Sequence, residues 1–282
     1  MILVFGQSGQ VARELGRLIP DATFLDRAAC DLSVPTDCID AILYNRPRAV
    51  INAAAYTAVD KAESEEELAT VINGHAPAAM ARTCDELRIP LVHISTDYVF
   101  DGSGTDPRGP DDATAPANAY GRSKLVGEEG IRASGCAHAI MRTSWVFSSH
   151  GNNFVKTMLR LSDTRDMLNV VSDQIGGPTP ARDIAYAAMA MAEALMVDPT
   201  RTGTYHFSGA PDVSWADFAR EIFRQAGRSV TVNDIPTSDF PTPAKRPLNS
   251  RMDCESLRNF TLNRPDWKAG LTTVLEELDV LP

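Results

Sequence analysis

The 282-residue sequence has no paired-cysteine motif, no apolar run long enough to cross a membrane, and fewer basic than acidic residues. Each absence excludes something. Cys30, Cys38, Cys84, Cys136 and Cys254 are scattered and never spaced Cys-x-x-Cys, which argues against a disulfide framework or a zinc site and for reduced thiols in a cytoplasmic protein. The opening Met-Ile-Leu-Val-Phe-Gly is apolar but too short for a signal peptide or a membrane span, and no basic stretch precedes it. With 27 Lys and Arg against 37 Asp and Glu, the chain lacks the basic face that a nucleic-acid partner requires. Small anions remain open to it, because backbone N–H groups and a few local arginines can hold them. Repeats and low-complexity tracts are missing too. The rest is ordinary globular composition, long enough for one large domain or two intimate ones.

The first half opens on a short apolar run, Ile2-Leu3-Val4-Phe5, as expected of a parallel strand buried on both faces. It leads into Gly6-Gln-Ser-Gly9-Gln-Val-Ala12 and then an amphipathic helix over Val11 to Ile19. Strand, glycine-rich turn and helix in that order is the dinucleotide-binding arrangement. Gly6 permits the tight turn, and Gly9 lets the backbone approach a pyrophosphate at the helix N-terminus. A second strand, Ala22 to Leu25, ends in Asp26-Arg27. An acid there would grip a ribose 2′-hydroxyl and an arginine would accept a 2′-phosphate, so both NADH and NADPH stay open. Asp31-Leu32 either borders an adenine pocket or caps a helix. A third strand, Ala49 to Ala55, runs out into small residues, and small side chains at a strand's carboxyl end leave room for a ligand. After Tyr56 and Thr57, the acidic cluster from Glu63 to Glu67 reads as the first turn of a helix continuing toward Leu87.

Two stretches carry the chemistry. Leu91 to Ile94 is a buried strand, and Ser95-Thr96-Asp97-Tyr98 follows where it should end, placing hydroxyls at the ligand-bearing edge. A hydroxyl there can hold a carbonyl oxygen beside a proton donor. After a loop rich in Gly, Pro and Asp comes Tyr120-Gly-Arg-Ser-Lys124, opening a helix. A tyrosine and a lysine four apart lie on one helix face, where an ammonium can stabilise a phenolate and move the tyrosine's titration toward neutral pH. A phenol of that kind can protonate a carbonyl oxygen or deprotonate an alcohol. A solvated surface pair is the alternative that the motif alone leaves open.

The second half reads as a smaller lobe. Ala139 to Phe147 is a strand whose Trp145 either stacks on a ligand or packs in a core. A helix over Asn153 to Leu161, a strand over Leu168 to Val171 and the turn-rich Asp173 to Pro180 follow. Further helices are expected over Ala181 to Val197, Trp215 to Gln225 (capped by Ser214) and Leu271 to Leu281, with strands at Gly203 to Gly209 and Val230 to Ile235. Lys245-Arg246, on a proline-rich segment, reads either as a phosphate clamp or as solvated charge. The expected fold is α/β, a Rossmann-type doubly wound parallel sheet with a smaller C-terminal α/β substrate lobe. The boundary falls near residue 148, and a segment around 180–210 returns to the large sheet.

Taken together, Gly6-x-x-Gly9-x-x-Ala12, the run from Asn52 to Glu63, Ser95 to Gly102, Tyr120-x-x-x-Lys124, Arg142 to Phe147, Asn152-Asn153-Phe154, Asp173 to Thr179 and Lys245 to Ser250 resemble the extended short-chain dehydrogenases. More narrowly, they resemble the dTDP-4-dehydrorhamnose reductase family, across nearly the whole chain. The resemblance implies delivery of hydride from NADPH or NADH to the C4 keto group of a nucleotide sugar, with Tyr120, Lys124 and Thr96 catalytic. By the same likeness Gly6, Gly9, Gln10, Val11, Arg27, Asp31, Leu32, Ala55, Tyr56 and Thr57 would line the cofactor groove, with Tyr120 and Lys124. Thr96, Asp97, Tyr98 and Trp145 would face the substrate. Some members dimerise through magnesium held by carboxylates. Glu14 fits one such ligand, but Arg182 stands near where another carboxylate is expected, so no metal is expected here, and the state is a monomer or a homodimer. Two other readings belong to the same scaffold: a non-catalytic NADP-binding regulatory subunit of the methionine adenosyltransferase type, and another nucleotide-sugar reductase or epimerase.

Overall fold

The computed structural model describes residues 1–281. Strands β1 (Ile2–Phe5), β2 (Thr23–Leu25), β3 (Ala49–Asn52), β4 (Leu91–Thr96) and β5 (His138–Thr143) alternate with helices α1 (Gln10–Leu18), α2 (Pro35–Asn45), α3 (Val59–Ala62), α4 (Glu66–Thr70), α5 (Ala76–Leu87) and α6 (Ala119–Ala133). Later in the chain come β6 (Val146–Phe147), α7 (Phe154–Ser162), β7 (Met167–Val171), β8 (Ile175–Gly176), β9 (Thr179–Pro180), α8 (Ala181–Val197) and β10 (Gly203–His206). The last elements are β11 (Val213–Ser214), α9 (Trp215–Gln225), β12 (Thr231–Ile235), β13 (Asn249–Ser250) and α10 (Trp267–Glu277).

Six strands form one wholly parallel sheet in the order β10-β5-β4-β3-β1-β2. Because successive side chains on a strand point to opposite faces, β1 divides its residues between two cores. Val4 packs with Val11 and Leu15 of α1 and with the small residues of α8. Leu3 and Phe5 pack on the other side with Ile42 of α2 and Met80 of α5. Burial on both faces is why these strands read as continuous apolar runs and not as alternation. The order reverses between β1 and β3, and at that switch point the carboxyl ends of the strands leave a crevice. A third core lies over this sheet, built from α7, α9 and α10 with Phe147, Phe218 and Trp267 at its centre. There β7 pairs with β12, and β8 lies between β11 and β13.

The elements depart from the sequence expectation in several places. The strand expected over Ala139 to Phe147 ends at Thr143, because Trp145 takes φ +49°, and its last two residues form β6, which pairs with β9 instead. The strand expected to reach Ala55 ends at Asn52. Helix α2 was not anticipated: its N-cap, Val34, offers no side-chain bond, and the usable signal was Pro35 in the first turn. Asp31 does not cap it, because its carboxylate accepts from the Ser33 N–H at 2.9 Å and closes a short turn. The helix expected from Glu63 to Leu87 starts at Glu66 and then runs without a break through α4, a π-turn at Val71–His75 and α5, with the short α3 before it. The last helix begins at Trp267, four residues early, because Asp266 accepts from the Lys268 N–H at its N-terminus.

Candidate active site

The first turn of α6 is pressed against the end of β4. Asn118 caps the helix, accepting from the Gly121 N–H at 2.8 Å. A side chain at Gly121 would overlap the Tyr98 carbonyl oxygen, so glycine here is a condition of the close approach. The approach places Tyr120 edge-on to Tyr98, ring centroids 5.6 Å apart, with Thr96 and Asp97 beside them at the strand end. Burial and the Asp97 carboxylate push the Tyr120 phenol up to about 12, against a smaller pull from Thr96. Tyr120 is therefore a protonated acid at neutral pH, and the expected shift of its titration toward neutrality is not found: burial dominates, and Lys124 Nζ is engaged by the Ile94 carbonyl and His93. Further along, a side chain at Gly127 would strike the Asn73 carbonyl. Asn73 in turn holds both the N–H and the carbonyl of Tyr56, at 2.8 and 3.0 Å, and meets Ser123 Oγ at 3.0 Å. One buried amide thus ties the Ala55-Tyr56-Thr57 loop to the helix that carries Tyr120.

Lys124 is buried, one turn below Tyr120. Its Nζ donates to the Ile94 carbonyl at 2.7 Å and lies 3.0 Å from His93 Nε2. Burial pulls it down to about 8, and the charge of Glu128 opposes that shift. Glu128, another turn on, makes a two-pronged pair with Arg142 of β5 at 2.9 and 2.7 Å and accepts from Ser95 Oγ at 2.6 Å. Burial alone would push the Glu128 carboxyl up, but Arg142, Ser95 and Arg132 together hold it below its usual value. Arg142 also donates to the Pro110 carbonyl at 3.0 Å and lies over the Phe100 ring. Helix α6, strands β4 and β5 and the long loop after β4 therefore share one buried ion pair.

At the other end of the crevice, Gly6 has φ +106°, and a side chain there would crowd the Ala53–Ala54 backbone. Gly9 caps α1 with no side chain over the helix end, so the first backbone N–H groups are free to face an anion. Gln10 turns its side chain away, accepting from Ser148 Oγ at 2.8 Å and Asn153 Nδ2 at 3.0 Å, while Val11 is buried behind the turn. Arg27 is exposed just past β2, 3.4 Å from Asp31, and Leu32 is buried behind them. Ala55 and Tyr56 are half-buried and Thr57 is exposed along the loop after β3.

The substrate-side residues are less alike. Asp97 is buried, accepting from Ser250 Oγ at 2.5 Å and Thr96 Oγ1 at 3.1 Å. Tyr98 is half-buried next to Tyr120. Trp145 has φ +49° and stacks on Trp215 at 3.6 Å. Lys245 and Arg246 part company: Arg246 pairs with Asp60 at 2.8 Å, and the Lys245 carbonyl accepts from Asn118 Nδ2 at 2.8 Å. Away from the crevice, ligand atoms of Glu14, His150 and Glu277 lie within 4.8 Å of one another. A cation already sits among them, since Arg17 is 3.4 Å from Glu14 and 2.6 Å from Glu277.

Sequence reasoning missed Asn52, His93, Glu128 and Ser250 as parts of the site. The signal for Glu128 was its place four residues beyond Lys124 on one helix face. The other three have partners that only the folded chain brings together.

The family model described as RmlD substrate binding domain matches residues 1–280. A dTDP-4-dehydrorhamnose reductase of Sinorhizobium fredii is 43% identical over 277 residues, covering 95% of this chain and 94% of its own. The Escherichia coli enzyme of the same name is 41% identical over 291 residues, with 98% and 97% covered. Among solved structures, a Bacillus anthracis dTDP-4-dehydrorhamnose reductase in complex with NADP superimposes with a TM-score of 0.91 at 36% identity, covering 98% of each chain. A UDP-glucose 4-epimerase of Brucella ovis, in complex with NAD, shares the fold alone, with a TM-score of 0.79 at 17% identity. The chain belongs to the RmlD substrate binding domain family, that of the dTDP-4-dehydrorhamnose reductases.

Proposed function

We propose that this protein is an NAD(P)H-dependent oxidoreductase that reduces the C4 keto group of dTDP-4-dehydro-L-rhamnose to give dTDP-L-rhamnose. The observation that carries the reading is the placement of a protonated phenol, Tyr120, at the carboxyl end of β4 with Lys124 below it on the same helix. The dinucleotide fits the crevice: Gly6 admits a turn that a side chain would crowd, and Gly9 leaves the α1 N-terminus bare. The turn of Gly6 and Gly9 and the backbone N–H groups of Gln10 and Val11 would hold the pyrophosphate, Arg27 and Asp31 the adenosine ribose, Leu32 the adenine, and Ala55, Tyr56 and Thr57 the far wall. When bound, the reduced nicotinamide supplies the hydride.

The chain's own residues manage the proton. As negative charge develops on the carbonyl oxygen, Tyr120 gives up its phenolic proton and the alcohol forms. Thr96 directs the oxygen toward Tyr120, and Lys124 stabilises the phenolate left behind. Asp97, Tyr98 and Trp145 shape the substrate side. A purely regulatory protein has no use for this trio, so we do not favour that reading. Five buried free thiols support a cytoplasmic setting, and no helix among the described residues is long and apolar enough to cross a membrane. The working unit is a monomer or a homodimer. The test is the loss of nicotinamide absorbance with the keto sugar generated in place, together with identification of the product. Appearance of dTDP-rhamnose supports the reading; cofactor binding with no turnover contradicts it.

A further inference from the structure

Lys124 is more than a cation beside Tyr120. Its Nζ lies 3.0 Å from His93 Nε2, and His93 Nδ1 lies 3.0 Å from Asn52 Nδ2. Asn52 and His93 are fully buried and Lys124 is 1% exposed, so these groups must satisfy one another. The order of donors starts at the backbone. Ala54 N–H donates to Asn52 Oδ1 at 3.1 Å, which leaves Nδ2 as the atom that faces the ring. A carboxamide NH₂ can only donate, so Nδ1 is the bare nitrogen and the neutral imidazole carries its proton on Nε2. That N–H points at Lys124 Nζ. An ammonium cannot accept it, but a free amine can, while still donating to the Ile94 carbonyl at 2.7 Å.

We propose that Asn52 and His93 are positioning residues for Lys124: the Asn52 amide selects the Nε2–H tautomer of His93, and that tautomer favours the free amine of Lys124 over its ammonium. Burial and the Lys124 charge hold His93 well below the usual imidazole range, so the ring stays neutral and the tautomer is what matters. The other charged or titratable groups near Lys124 are on α6 and β4. Glu128 favours the ammonium, but Arg142 engages both its oxygens. Tyr120 lies one turn above, with Asp97 at the strand end beyond it. Resting on the reductase reading, the arrangement gives Lys124 a task. The Lys124 ammonium gives its loosely held proton to the Tyr120 phenolate after each turnover, leaving the free amine that the His93 Nε2–H supports, and solvent returns a proton to that amine before the next one.

The experiment is a ¹³Cε NMR titration of the lysines in the intact protein, with Lys124→Met identifying the signal. The wild-type midpoint is expected near 8. In Asn52→Ala, His93 is freed to carry its proton on Nδ1 and accept from the ammonium, so the midpoint should rise by about one pH unit. The alkaline limb of kcat/KM should move with it. An unchanged or lower midpoint overturns the proposal. Imidazole ¹⁵N shifts of the wild-type protein decide the same point without a variant: a bare Nδ1 on His93 supports it, and a protonated Nδ1 overturns it. If Lys124→Met turns over normally, the reductase role of Lys124 fails, while the titration still judges the proposal.

Discussion

Ser250 Oγ donates to Asp97 Oδ2 at 2.5 Å, joining strand β13 to the end of β4 across 153 residues of sequence. The bond fixes β13 against the end of β4 at the point where Tyr120 arrives. It also engages one oxygen of a carboxyl that burial pushes up to about 6, against the pull of its Ser250 and Thr96 hydrogen bonds.

Asp97 should therefore weaken the fold as it ionises. Its folded pKa lies above the usual 3.8, so its contribution is fully present at low pH and is lost as the pH rises from about 4 through 6. Asp97→Asn removes that titration. Urea denaturation should show the variant gaining about 2–3 kcal/mol relative to wild type between pH 4 and pH 7. A constant difference across that window would contradict the assignment. The variant should also lower the Tyr120 pKa, since Asp97 helps to raise it.

The Glu128–Arg142 pair behaves in the opposite sense. Glu128 is held below its usual 4.5, so its stabilisation is present above that value and is lost as the pH falls through the lower folded one. Arg142→Met leaves a buried carboxylate without its partner and should cost about 3–5 kcal/mol, read as a lowered Tm at pH 7. Glu128→Gln in the same background should recover part of the loss, because it removes the uncompensated charge.

Much of this site was legible because it is local. A strand followed by Gly6 and Gly9, and a tyrosine and lysine one helical turn apart, are patterns within a dozen residues. Asp97–Ser250, Glu128–Arg142 and Asn52–His93–Lys124 were not legible, because each joins residues of different elements, 14 to 153 positions apart, whose types alone name no partner. Arg246 shows the same limit: beside Lys245 it resembles a phosphate clamp, yet its guanidinium is paired with Asp60. The π-turn at Val71–His75 has no sequence signal of its own, but it sits where Asn73 reaches both Tyr56 and Ser123.

Gly121→Ala tests how closely α6 must approach β4. By helix propensity alone alanine should stabilise the helix by about 1 kcal/mol. A methyl group here would overlap the Tyr98 carbonyl, so the first turn must shift and carry Tyr120 with it. We expect kcat to fall by about 100-fold with a stability loss of about 1–3 kcal/mol. A stabilised variant of normal activity would show that the approach is not required.

The central claim is that Tyr120 is the proton donor, and Tyr120→Phe tests it most directly. The variant keeps the ring and its packing on Tyr98 and loses only the hydroxyl. The kcat for keto-sugar reduction should fall by about 10²–10⁴-fold, while the Kd for the nicotinamide cofactor, measured on the same preparation, stays within about twofold of wild type. A near-normal kcat would contradict the account and move the search for the donor to another group at the end of β4.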